Sequence, residues 1–217
     1  MSGPRKVIAG FVSFTEVDHG HHRSYNAWHL FDHLPEQLPL PGIAWGQRWV
    51  LAPQLARAGT AQPPLDRVHY VTLYLLAEPL EQTLAAFRSL GRRLRAEDRF
   101  HLHRRSHLSG AMDVRSMHAA PRALVSAEAV PYRPNTGAHV CLTRDGAPPV
   151  ERLLSVPGVA GVWTFTGMDM SLTWCWIDDD PTDVSDAIRD AAPTPPGALF
   201  TGTLHTIDPH GSWDWFD

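Results

Sequence analysis

Long apolar runs are missing from this 217-residue chain: no stretch approaches the roughly 20 uninterrupted hydrophobic residues that a membrane helix needs. The first residues are mildly basic, but their apolar run is short and broken by Gly10 and Ser13, which argues against a cleavable secretory segment. Cysteine is scarce as well. Cys141 and Cys175 are the only two, both inside apolar strand-like runs, so buried thiols in a reducing cytoplasm are expected rather than a disulfide framework. Several catalytic signatures are absent: a GxGxxG turn after a strand, a GxxxxGK[ST] loop, an HExxH pair and a GxSxG elbow. Nicotinamide, P-loop, zincin and ordinary serine-hydrolase chemistry lose support accordingly.

Positive charge is not in surplus. The 19 basic and 23 acidic side chains leave a net charge of -4, which argues against a nucleic-acid partner. The charge is uneven, however. Residues 1–120 hold 14 Lys or Arg against 10 Asp or Glu, and residues 121–217 hold 5 against 13. That polarity would steer an anionic ligand toward the first half, although solubility alone explains it too.

What is present is a folded pattern, 43% hydrophobic and 9% aromatic. Val7–Phe14 reads as a strand, followed by a histidine-rich connection and a helix over about Ser24–Leu34. Ala27, Leu30, Phe31, Leu34 and Leu38 form its expected core stripe. After Pro35, Pro39 and Pro41 come strands over Ile43–Val50 and Val68–Ala77, with residues 51–66 as a loop between them. A helix follows Pro79, and a strand is expected between Met112 and His118. The order is β-α-β-β-α-β. The second half repeats it: strand 138–143, helix 149–156, strands 161–165 and 172–177, helix 180–191 and strand 198–207. An extra strand candidate lies at Ala123–Val130.

The repeat shows in the letters. LPLPGIAWGQRW at 38–49 parallels LSVPGVAGVWTF at 154–165, each with Pro-Gly between a leucine-bearing helix end and an aromatic strand. A βαββαβ unit leaves one sheet face uncovered by its helices. Two units in one chain can bury those faces against each other, so the predicted fold is α+β: tandem ferredoxin-like halves, 1–120 and 121–217, forming an intramolecular α+β barrel. The space between the sheets is the expected ligand cavity.

Residues 25–35, YNAWHLFDHLP, followed by Leu40-Pro41-Gly42, carry a family likeness. Trp28, Asp32, His33, Pro35, Pro41 and Gly42 match by kind and spacing, and the segment resembles the signature of the EthD-like branch of the dimeric α+β barrel superfamily. His29 stands where that branch usually has an aromatic, and the second half keeps Pro157-Gly158 but not the Trp and acidic-His portion. The resemblance implies a range of activities: polyketide cyclases, cofactor-independent monooxygenases, lactone isomerases, haem-using members and proteins without assigned activity.

His33 is the leading candidate for chemistry, since a neutral imidazole accepts and returns protons near pH 7, with Asp32 or another carboxylate to orient it. A half-exposed structural histidine is the plainer alternative. His29 lies one helical turn away, and the two, with Glu36 or the His19, His21 and His22 cluster, could approach a metal. Too few ligands have convincing spacing, so neither a metal nor a cofactor is expected. Arg48 and His69 are polar residues in apolar strand patterns; a surface placement is the default for Arg48, since burying it unpaired is costly, but in a pocket it would stabilise an enolate or phenolate.

Tyr25, Trp28, Trp45, Tyr70, Tyr74, Trp174 and Trp176 are candidate ligand-binding rings, with ordinary core packing as the alternative. By strand parity Tyr70, Thr72 and Tyr74 share one face, His69, Val71 and Leu73 the other, and Trp174 goes with Trp176. The basic stretch 92–107 resembles a phosphate-binding patch by composition, with a solvated helix end and loop as the plainer reading, and Asp180 reads as a helix cap. Trp213, Trp215 and Phe216 are expected to dock on the barrel, cover a rim or serve an oligomer contact.

The expected function is therefore a cofactor-independent acid–base enzyme, a cyclase, dehydratase or isomerase, acting on a small aromatic or polyketide-like metabolite. A non-catalytic binder of an aromatic metabolite and a haem or metal oxygenase are the alternatives. A cytoplasmic monomer or homodimer is expected, with no membrane or nucleic-acid partner.

Overall fold

Eight strands hydrogen-bond side to side until the last meets the first. The computed structural model describes residues 6–216. In chain order the first half contains β1 (Val7–Val17), α1 (His22–Trp28), a π-helical turn (His29–His33), α2 (Leu34–Gln37), β2 (Ile43–Val50), α3 (Pro53–Ala56), β3 (Thr60–Ala61), β4 (Tyr70–Ala77), α4 (Leu80–Ala96) and β5 (Arg104–Ala119). The second contains β6 (Gly137–Thr143), α5 (Val150–Leu154), β7 (Val159–Gly167), β8 (Met170–Ile177), α6 (Pro181–Ala191) and β9 (Ala198–Thr206). No helix of the described residues is long and apolar enough to cross a membrane.

The strand order β2-β4-β1-β5 in the first half is matched by β7-β8-β6-β9 in the second, both ferredoxin-like. Antiparallel β5–β7 pairing joins the halves on one side. On the other, Trp49 and Val50 of β2 pair with Thr206 and His205 of β9 and close the ring. The fold is an α+β barrel completed within one chain, as the repeat implied.

The Pro-Gly repeat has a structural basis. Gly42 and Gly158 adopt φ of +87° and +90°, a left-handed turn that favours glycine. A Cβ on Gly42 would collide with Thr83 Oγ1, and one on Gly158 with Val184 Cγ2. Thr83 and Val184 are each the fourth residue of the long helix in their half. The two turns therefore pack against equivalent helices.

Strand alternation divides each sheet into an inner and an outer face. Val12 and Phe14 of β1 and Val71, Leu73 and Leu75 of β4 point inward, joining Trp49, Trp163, Phe165, Trp174, Trp176 and Phe200 in one buried core. Those rings contact edge to face: Trp49 and Trp174 have centroids 4.8 Å apart, and Trp45 and Trp176 5.2 Å. The barrel interior is thus packed core. This corrects the expectation of a ligand between the sheets, because indoles from both halves fill the space that the closed ring encloses.

Other local differences have clear causes. The strand expected at Ala123–Val130 is replaced by 3-10 turns at Pro121–Ala123 and Ala127–Tyr132, with Leu124 left-handed and Pro131 unable to donate to a ladder. β5 begins at Arg104, well before the expected Met112, since pairing with β1 extends to Arg104–Val17 through a bulge. Residues 51–66 form α3, β3 and the start of a 3-10 turn, and β3 adds to β9. Asp180 caps α6 as expected, accepting from Thr182 N–H at 2.7 Å.

Candidate functional site

The helical segment from His22 to Gln37 buries its apolar stripe only in part: Ala27, Leu30 and Leu34 are half-buried against neighbouring hydrophobic clusters. Phe31 is 61% exposed and Leu38 41%, whereas Tyr25, Asn26, His29 and Gln37 are buried. Between the two α-helical pieces, Leu34 N–H bonds the carbonyl of His29, an i→i+5 contact that defines the π turn. The extra residue per turn rotates the later side chains relative to a 3.6-residue wheel. The face turned to the sheet is polar because it roofs a cavity.

That cavity holds about 660 Å³ and lies outside the barrel, between the outer face of the first-half sheet and its helices. Phe11, Ser13 and Thr15 of β1 and Thr72 and Tyr74 of β4 form its floor. Tyr25, Trp28, His29, His33 and Gln37 supply one wall; Phe87, Gly91 and Arg95 of α4 supply another. Phe100, His101 and Leu102, with Arg104, Arg105, Ser106 and Ser109 of β5, complete it.

His33 stacks on Trp28 with centroids 4.4 Å apart and an interplanar angle of 24°. Trp28 is itself fixed by donating from Nε1 to the Arg99 carbonyl at 2.8 Å. The Gln37 amide lies 2.5 Å from His33 Nε2, and which of the two donates depends on the imidazole tautomer. Burial, then the cations of Arg104 and Arg48, push the His33 pKa down to about 3. His29 is held well below the ordinary histidine value by burial, with Arg48, His33 and Arg104 adding to it. Among the described residues, Nδ1 of both rings is buried without a hydrogen-bond partner, as is the Tyr74 hydroxyl, whose pKa burial raises strongly.

Arg48 sits on the outer face beside Thr72 and is buried. Its Nη2 donates to Asn26 Oδ1 at 2.5 Å, and its guanidinium lies over the rings of Tyr25 (4.6 Å) and Tyr70 (4.9 Å). Among the described residues, its Nε and Nη1 have no hydrogen-bond partner. Tyr70 underpins the cluster, its hydroxyl accepting from Asn26 Nδ2 and lying 3.1 Å from His22 Nδ1.

The sequence candidates thus divide. His29, His33, Tyr25, Trp28 and Tyr74 line the cavity, with Arg48 and Tyr70 in the layer beneath. Asp32 faces away, bonded by Arg99 at 3.1 and 3.2 Å, so Gln37 is the residue that orients His33. His69 Nδ1 accepts the Val17 N–H at 3.1 Å, and its ring meets Phe216, outside the cavity lining. Trp45, Trp174 and Trp176 belong to the barrel core. Trp213 docks against the hydrophobic cluster of Val17, Tyr25 and Tyr70, and Phe216 stacks on His22 at 4.2 Å, bracing the back of the site.

Gln37 and Phe100 were not anticipated, and Arg95, His101 and Arg104 only as members of the basic stretch 92–107. The alternation of Phe11, Ser13 and Thr15 against Val12 and Phe14 was a usable signal for the floor. Among the described residues, no group of three or more His, Cys, Asp or Glu side chains is placed to hold a metal ion. A haem asks for less, and the free Nδ1 atoms of His29 and His33 have the donor chemistry of an axial ligand.

No protein-family model matches the sequence, and no curated protein does. Solved structures do share its shape. TA0507, a proposed chlorite dismutase, is 10% identical, with 94% of this chain and 96% of that one covered at a TM-score of 0.55. A mutant chlorite dismutase from Candidatus Nitrospira defluvii is 10% identical, covering 98% and 97% at 0.52. An anthrone oxidase-like protein is 10% identical, covering 94% and 92% at 0.51. The fold is that of the dimeric α+β barrels. At such identity the likeness is one of fold, and what a dimeric α+β barrel does is decided by the side chains of its site.

Proposed function

We propose that the cavity binds a small aromatic molecule and moves a proton on it without a tightly bound cofactor, as a cyclase, dehydratase or isomerase would. This is the EthD-like reading of residues 25–42. The observation carrying it is a neutral His33, clamped between Trp28 and Gln37, with its Nδ1 free and a buried guanidinium nearby. A half-turn of the Gln37 amide replaces a donor at Nε2 by an acceptor. In one orientation Nδ1–H donates a proton; in the other Nδ1 offers a lone pair. One residue can then take a proton from carbon or oxygen and return it elsewhere. Arg48 supports an enolate or phenolate electrostatically through the Tyr25 layer.

The test begins with protein purified from its producing cells and the molecule it retains, identified by mass spectrometry. Incubation in heavy water introduces deuterium or converts the molecule if the reading holds, and His33→Gln binds it without either effect. A ligand recovered unchanged, with no isotope incorporated, identifies a binding protein instead. The free Nδ1 atoms favour haem ligation as the second reading, and visible absorbance of the same preparation identifies it.

A further inference from the structure

Among the described residues, the cavity contains arginine without acid: Arg95, Arg104 and Arg105 line it, and no Asp or Glu does. Carboxylates are plentiful next door, yet they are already used: Asp32, Glu36 and Glu97 all bind Arg99, and Glu36 also takes Arg93. Among the described residues, Arg95 and Arg104 form no ion pair, although Arg104 is half-buried and its Nε is buried without a partner.

Both cations also lie against one ring. Their guanidinium carbons lie 4.6 Å (Arg95) and 4.5 Å (Arg104) from the centroid of the same ring, Phe100, and Arg104 additionally lies 5.4 Å from Trp28. Desolvation lowers the Arg104 pKa, and the charges of Arg95 and Arg48 act in the same direction. An arrangement that desolvates a cation, places another beside it and leaves its donor unpaired is completed by an anion.

Building on the aromatic-ligand reading above, we propose that the ligand carries a carboxylate, received by Arg104 and Arg95 at the cavity mouth while its ring lies against Trp28 and Phe87. A planar guanidinium fork matches a carboxylate in two parallel hydrogen bonds. A phosphate dianion suits the place less well, because Arg95 stands in the last turn of α4, where the helix dipole is negative. The lining also offers the apolar rings that a flat arene needs beside its charge.

The experiment compares 2-naphthoate with 2-naphthamide, nearly the same shape without the charge, by calorimetric titration of the full chain. Naphthoate is expected to bind at least about tenfold tighter, and Arg104→Gln to remove about ten- to hundredfold of its affinity while leaving naphthamide within about twofold. Arg95→Gln, at an exposed position that folding tolerates, is expected to weaken naphthoate several-fold, and Arg92→Gln, outside the cavity, to have no effect. Equal affinity for the two probes, failure of both to bind, or indifference to both cavity arginine substitutions overturns the proposal. Because binding is read without turnover, a protein that selects naphthoate but never exchanges protons on its retained ligand defeats only the catalytic reading. One that exchanges protons yet ignores charge defeats only this one.

Discussion

His33, the last residue of the π turn, and Gln37, four residues on in α2, meet through their Nε2 atoms at 2.5 Å. The carboxamide cannot be ionised, so the pair holds a neutral imidazole where a carboxylate partner would favour imidazolium. Gln37→Glu is therefore expected to raise the His33 pKa from about 3. The acid limb of the kcat/KM profile on the retained ligand moves to higher pH by about one unit or more. Gln37→Leu leaves His33 unoriented and lowers kcat about tenfold or more with little change in KM. An unmoved acid limb in Gln37→Glu removes Gln37 from the mechanism as a positioning residue.

Buried neutral histidines make the fold acid-sensitive, and the sign follows from their direction. His22, His29, His33 and His101 all lie below 6.5 in the folded state, with His22 and His101 at about 4. Below pH 6.5 the unfolded chain binds more protons than the native one. Stability is therefore complete above about pH 7 and declines as the pH falls toward 4, at up to about 1.4 kcal/mol per pH unit for each fully buried ring. Urea midpoints at pH 7.5, 6 and 5 measure the slope. His29→Phe, which supplies a ring without a titrating group, is expected to flatten it.

The barrel interior and the outer cavity respond differently to truncation. Trp174 is fully buried among Trp49 and Trp176, and its Nε1 has no hydrogen-bond partner. Trp174→Ala is expected to cost about 3–5 kcal/mol by urea denaturation. Trp174→Phe costs much less, since it fills most of the space and removes an orphan donor. Neither changes affinity for the retained ligand in protein that remains folded, whereas Trp28→Ala weakens it. A large loss of ligand affinity in Trp174→Phe would return the binding site to the space between the sheets.

The barrel was legible because it is written in local constraints: Val-, Ile- and Trp-rich runs of strand length, and two Pro-Gly turns in matching positions. The site was legible only in part. His29, His33, Tyr25, Trp28 and Tyr74 stood out by residue type. Parity told which of Tyr70, Thr72 and Tyr74 travel together, but not that their face lies outside the barrel; for Trp174 and Trp176 the same ambiguity suggested a ligand role where the structure has core. The expectation failed at Phe31 because the helix turns its polar face, with Asn26, His29 and Gln37, to the sheet, where it roofs a cavity. Arg95 and Arg104 were hidden for another reason. Their charged segment has the composition of solvated surface, and only tertiary placement shows that the nearby carboxylates are spent on Arg99 and Arg93.

The duplicated turns allow backbone strain to be separated from packing. Gly20 and Gly146 have φ of +77° and +76°, and a methyl group added at either would meet nothing within 4 Å. Alanine there costs only the left-handed conformation, about 1–2 kcal/mol. Gly158→Ala has the same backbone penalty and a collision with Val184 besides, and Gly42→Ala collides with Thr83. Each is expected to lose at least about 2 kcal/mol, more than either exposed glycine. Val184→Ala alone opens a cavity under α6 and destabilises. In the Gly158→Ala background it also relieves the collision, so the double variant is expected to be more stable than the sum of the two losses by about 1 kcal/mol or more. Additivity within about 0.5 kcal/mol would show that the turn yields freely, and that glycine is required at these two positions by backbone conformation alone.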